Sequence, residues 1–102
     1  MEIKQYTLDE LSLLLSPIFK RNKVTKAAVF GSYARGEQTE NSDYDFLVDM
    51  EKDAGLEFYC IYDELKDVLN KDVDIITYWS LNRKPEMFIK SVTEEAKIIY
   101  ES

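Results

Sequence analysis

Histidine is absent from this 102-residue sequence, and cysteine occurs once, at Cys60. Those two shortages exclude several chemistries together. A single cysteine forms no intrachain disulfide. A zinc site would lack its usual nitrogen and sulfur ligands. A Ser-His-Asp or Cys-His mechanism would have no base. Any catalysis must run on carboxylates, a metal, or Lys, Tyr and Ser side chains. Cys60 falls inside a helical apolar pattern, so it is expected as a small packed residue rather than a reactive thiol. The sequence also lacks a long linker, a low-complexity tract and an internal repeat. No apolar run approaches the ~20 residues of a membrane helix. The first residues, MEIKQYTLDE, are polar and acidic, unlike a secretory signal. A soluble, cytoplasmic protein with no membrane partner is the expectation.

Basic residues are outnumbered, 13 Lys and Arg against 20 Asp and Glu, for a formal net charge of −7. That argues against a general nucleic-acid binder, which normally shows a basic patch. It leaves room for an anionic nucleotide, because a bound cation inverts the local charge logic. The carboxylate excess also suits a basic protein partner; a solvated acidic surface is the plainer alternative. The length fits one domain spanning residues 1–102. A chain of this size buries roughly 60–65% of its unfolded surface, enough for one modest core.

Thr7 and Glu10 form a capping-box signature, and Leu8, Leu11, Leu14 and Leu15 follow at helical spacing. A helix is predicted from about Leu8 to Asn22, kinked or restarted near Pro17 because proline breaks a helix interior. VTKAAVF, Val24 to Phe30, reads as a strand ending at Gly31. Ser32 to Gly36 is a short helical segment, and EQTENS a polar loop. Tyr44 to Met50 is a second strand, with Phe46 and Val48 on one face and Asp45, Leu47 and Asp49 on the other. Leu56 to Leu69 is a helix with Phe58, Ile61, Tyr62, Leu65, Val68 and Leu69 on its inner stripe. Val73 to Tyr78 is a third strand, rich in β-branched and aromatic residues. A last helix is predicted from Pro85 to Thr93, with Phe88, Ile89 and Val92 inward. KIIY, residues 97–100, is either a short strand or a helical tail. The fold class is therefore α/β (α+β), a small mixed sheet with helices packed mainly on one face.

The stretch GSYARGEQTENSDYD, Gly31 to Asp45, holds the first candidates for chemistry. A glycine after a strand allows close approach of a ligand to the backbone. Ser32 begins a short helix whose free N–H groups attract an anion, and its hydroxyl adds a donor. The plain alternative is an ordinary strand-to-helix turn with Ser32 as N-cap. Asp43 and Asp45, two apart on an extended chain, share a face with Cα atoms ~6.6 Å apart. Without a cation, that proximity costs like-charge repulsion and raises one pKa. Hard divalent cations such as magnesium favour oxygen ligands of this kind. The alternative is a strand entry decorated with solvated aspartates. Asp74, at the start of the third strand, stands beside them if the second and third strands are neighbours. Asp72 shares its face and competes for that role; Asp74 is preferred because it leads directly into the apolar run.

Gly-Ser, ten intervening residues, Asp-x-Asp and a later isolated Asp make a rarer combination than any part. The stretch GSYARGEQTENSDYDFLVD resembles the minimal nucleotidyltransferases of the DNA polymerase beta superfamily, whose signature is G-S-x-A-R-G followed by S-D-x-D. The resemblance extends to VDIIT and the terminal EEAKIIYE. It implies that Asp43 and Asp45 bind two magnesium ions gripping the triphosphate of ATP. It implies that Ser32 and the Gly31 backbone hold the terminal phosphates, and that Asp74 completes the metal site and helps deprotonate the attacking hydroxyl. Arg35 either neutralises phosphate charge or pairs with Glu37, Asp43 or Asp49 to hold the loop, the structural role being preferred. Larger superfamily members carry extra domains for the acceptor, and this chain has no room for one. The resemblance is nearest to MNT-domain antitoxins paired with HEPN-domain ribonuclease toxins. It implies a hetero-oligomer in which AMP passes from ATP to a toxin tyrosine and blocks the RNase. The seven tyrosines of the chain itself are mostly explained by amphipathic packing.

Overall fold

The computed structural model describes residues 6–37 and 43–102. Helix α1 runs from Leu8 to Arg21. Its capping box forms as the sequence predicts, with the Glu10 N–H donating to Thr7 Oγ1 at 3.1 Å and the Thr7 N–H to Glu10 Oε1 at 2.9 Å. The expected restart at Pro17 does not occur; one helix continues through it. Pro17 lies on the exposed face, where the carbonyl it leaves unpaired one turn back belongs to the exposed Leu13 and meets water.

Four strands follow the predicted positions: β1 Val24–Phe30, β2 Tyr44–Met50, β3 Val73–Thr77 and β4 Lys97–Glu101. They form one mixed sheet in the order β3-β2-β1-β4. β1 is antiparallel to both β2 and β4, and β2 is parallel to β3. KIIYE is thus a strand, not a helical tail. The short helix α2, Ser32–Arg35, follows β1 and is closed by Gly36 in the left-handed conformation at φ 71°. α3 spans Glu57–Leu69.

The third strand stops one residue early. Tyr78 opens an unpredicted helix α4, Tyr78–Leu81, which Thr77 caps by accepting the Ser80 N–H at 3.0 Å. The last helix, α5, runs from Glu86 to Glu95 rather than Pro85 to Thr93, with Pro85 as its N-cap. Of the polar loop predicted for residues 37–42, all but Glu37 lies outside the described residues.

The sheet buries both faces. α1 and α3 cover the main core, where Leu11, Leu15 and Phe19 meet Ala27, Val29, Phe46, Val48, Ile61 and Leu65. The opposite face carries a smaller cluster of Ala28, Leu47, Leu81 and Val92, covered by α4 and α5. Helices therefore pack mainly on one face, as expected, with a thin second layer behind.

Three expectations of burial fail. On α3 only Ile61, Leu65 and Leu69 are buried, a stripe of strict i, i+4 spacing; Tyr62 and Val68 are 38% and 40% exposed, and Phe58 is half-buried. Cys60 is exposed instead of packed, because it precedes Ile61 and so turns away from the narrow stripe. On α5, Val92 is buried and Ile89 half-buried, but Phe88 is 40% exposed.

Candidate active site

The strand directions bring the predicted residues to one end of the sheet. β1 ends where β2 begins, because they are antiparallel, and Phe30 pairs with Asp45. β2 and β3 start together, because they are parallel, and Asp45 pairs with Asp74. β4 starts at that same end, with Val29 paired to Lys97. Gly31, Asp45, Asp74 and the segment entering β4 thus converge although they are far apart in the chain.

Gly31 is fixed by its neighbours. It adopts φ 75°, ψ −150°, a combination open essentially to glycine alone. A Cβ there would collide with Asp45 Oδ2 and lie 3.2 Å from its Cγ. Gly31, not Ser32, is the N-cap of α2, and it supplies no side chain to cap with. Ser32 is the first residue of the helix and is half-buried. Tyr33 anchors α2 from beneath: its ring stacks on Tyr44 at 3.8 Å between centroids, and both are buried.

Asp45 is half-buried at the start of β2. Burial, then the neighbouring Asp74, Asp43 and Glu95, push its carboxyl up to about 6, with Arg35 opposing weakly. Asp74 is exposed beside it. Asp43 is exposed immediately ahead of the strand. Asp72 points elsewhere. It pairs with Lys66 at 3.4 Å and is largely exposed, while its backbone carbonyl accepts the Tyr44 N–H.

Among the described residues, no three acidic, His or Cys side chains stand close enough to form a ready metal cage. The donor set nevertheless suits a hard cation. Asp43, Asp45 and Asp74 offer oxygen only, and a cation would favour the Asp45 charge that burial first, and then its acidic neighbours, disfavour.

Arg35 is held by two carboxylates. Its Nε donates to Glu37 Oε2 and its Nη1 to Glu95 Oε2, each at 3.0 Å. Glu37 was among the predicted partners; among the described residues, Asp49 takes no part, since it sits at the far end of β2 opposite Lys26. Glu95 is the residue that sequence reasoning missed. From the last turn of α5 its other oxygen, Oε1, accepts the Gly31 N–H at 3.0 Å. A Glu-Glu pair at a helix end reads as solvated charge. Only the pairing of β4 with β1 turns one of the two toward the Gly31 turn.

Comparison with known proteins matches this arrangement to a family. The family described as Polymerase beta, Nucleotidyltransferase covers residues 14–102. A candidate protein adenylyltransferase of Methanocaldococcus jannaschii is 41% identical over 76 residues, which span 74% of this chain and 82% of that protein. The solved structure of a candidate minimal nucleotidyltransferase superposes with a TM-score of 0.72 at 28% identity, covering 93% of this chain and 98% of the other. A chain of the complex between the tri-AMPylated HEPN toxin of Shewanella oneidensis and its MNT antitoxin shares the fold, with a TM-score of 0.62 at 18% identity over 89% of this chain and 70% of that one. With the sheet register and the Gly31 turn in place, the chain belongs to the polymerase beta nucleotidyltransferase family and is a nucleotidyltransferase.

Proposed function

We propose that this nucleotidyltransferase is the antitoxin of a toxin–antitoxin pair and transfers AMP from ATP to a tyrosine of a HEPN-domain RNase toxin, inactivating it. The observation that carries the site is the continuous register Phe30–Asp45–Asp74, which sets the Gly31 turn against two carboxylates. The similarity to a candidate protein adenylyltransferase supports the reaction, and the AMPylated HEPN complex of Shewanella oneidensis supports the acceptor class.

In this reading Asp43, Asp45 and Asp74 hold magnesium, whose charge, when bound, offsets the triphosphate and makes the acceptor hydroxyl easier to ionise. Ser32 and the Gly31 turn orient the terminal phosphates. The exposed Asp74 carboxylate accepts the tyrosine proton. The tyrosine oxygen forms a bond to the α-phosphorus as the bond to the β-phosphate oxygen breaks, and pyrophosphate leaves. Arg35, tied to Glu37 and Glu95, shapes the turn and adds positive charge beside it. The whole chain acts as one catalytic domain, with the acceptor arriving on its partner.

The test is co-expression with the HEPN partner and α-labelled ATP. Label is expected on the toxin, as an AMP-sized adduct on a tyrosine by mass spectrometry. Asp43→Ala with Asp45→Ala should abolish it. Labelling that survives the double change sinks the site, and full neutralisation by the unlabelling variant would mean that binding alone silences the toxin.

A further inference from the structure

The Gly31 turn is not held by its own segment. Its N–H is taken by Glu95, 64 residues away, and the same carboxylate reaches Arg35 through its second oxygen. The Glu95 side chain is only 20% exposed, against 45% for Arg35. A bidentate carboxylate of this kind fixes both position and direction: one oxygen sets the Gly31 peptide, the other the guanidinium. On its other side Gly31 is packed against the Asp45 carboxylate. The turn is therefore clamped between Asp45, the second residue of β2, and Glu95, the last residue of α5.

We propose that Glu95 is a positioning residue for nucleotide binding, holding the Gly31 peptide and the Arg35 guanidinium in the arrangement that receives the phosphates. This rests on the nucleotide-binding role given to the turn above. Glu95 touches neither the acceptor nor the reacting phosphorus; it acts through Gly31 and Arg35. Both of its hydrogen bonds are local to the turn, so its removal loosens the phosphate grip.

The test compares wild type, Glu95→Ala and Glu95→Gln by calorimetric titration with magnesium and AMP-PNP, by thermal midpoint, and by steady-state AMP transfer to the co-purified toxin. Glu95→Ala is expected to weaken AMP-PNP binding about tenfold or more. KM for ATP should rise by a similar factor, with kcat falling less. Glu95→Gln keeps an oxygen for the Gly31 N–H but loses the ionic hold on Arg35, so its affinity should lie between the other two. The glutamine variant is close in shape and carries the test should the alanine variant not fold. Wild-type affinity in a folded Ala or Gln variant overturns this inference alone. Tighter binding in either would make Glu95 a competitor of the phosphates and overturns it too. Failure of the wild type to bind AMP-PNP overturns the nucleotide reading, and this inference with it.

Discussion

Asp45 lies half-buried among Asp74, Asp43 and Glu95, and its charge there costs stability at neutral pH. The folded pKa, about 6, lies above the ordinary value of 3.8, so the folded chain holds this proton more tightly than the unfolded one. The cost is absent below the unfolded value, where both states are protonated. It grows through the interval and is complete above about 6. With solvent screening of a partly exposed group, the full cost is on the order of 1 kcal/mol. Asp45→Asn is expected to abolish AMP transfer and yet raise the thermal midpoint at pH 7 by about 4–8 °C. The gain should shrink as the pH falls through the interval and vanish when the melts are repeated at about pH 3, below it. A variant that melts lower than wild type at pH 7 would mean that Asp45 accepts hydrogen bonds worth more than its repulsion costs. Gly31→Ala works in the opposite direction. The added methyl meets Asp45, and the backbone conformation is closed to alanine, so a loss of about 1–3 kcal/mol in denaturant unfolding is expected along with lost activity. The importance of Gly31 was legible from its place after an apolar run. Its clamp by Glu95 was not, since that bond joins residues 64 apart.

At the scale of elements, local signals carried the strands and the first helix. The short apolar run FLV and the β-branched run VDIIT each made a strand. Thr7 and Glu10 made the cap they spell. The errors came where local composition fits two structures. The pair Thr77-Tyr78 reads as the end of a strand, but Thr77 caps a new turn and Tyr78 leaves the sheet. On α3, six apolar positions suggested a broad stripe, whereas contact with the sheet and α1 buries only one row of it. That difference is measurable. Leu65→Ala, at a fully buried site, should cost about 2–5 kcal/mol of unfolding free energy. Val68→Ala, on the exposed side of the same helix, should cost about 0.5 kcal/mol or less. Equal losses at the two positions would restore the broad stripe, and with it a partner packed on that side of α3.

For the whole molecule, topology does what no single motif can. Two antiparallel pairings and one parallel pairing place the end of β1 and the starts of β2, β3 and β4 together, so four segments build one site. The sequence holds the parts, but the register that assembles them depends on long-range pairing. Net charge is the other property of the whole. At −7 the chain projects a negative field, which steers association with a basic partner rather than fixing the final contacts. If the acceptor is presented by a basic HEPN toxin, salt should act on encounter and not on the bound complex. The association rate, measured by stopped-flow with labelled toxin, is expected to fall about tenfold between low and high ionic strength, while dissociation changes little. Reversing charge at exposed acidic positions away from the site, such as Asp67→Lys, should slow association and leave ATP binding as it is. A rate indifferent to salt would show that the acidic surface serves solvation alone, and that the toxin is found by shape and apolar contact.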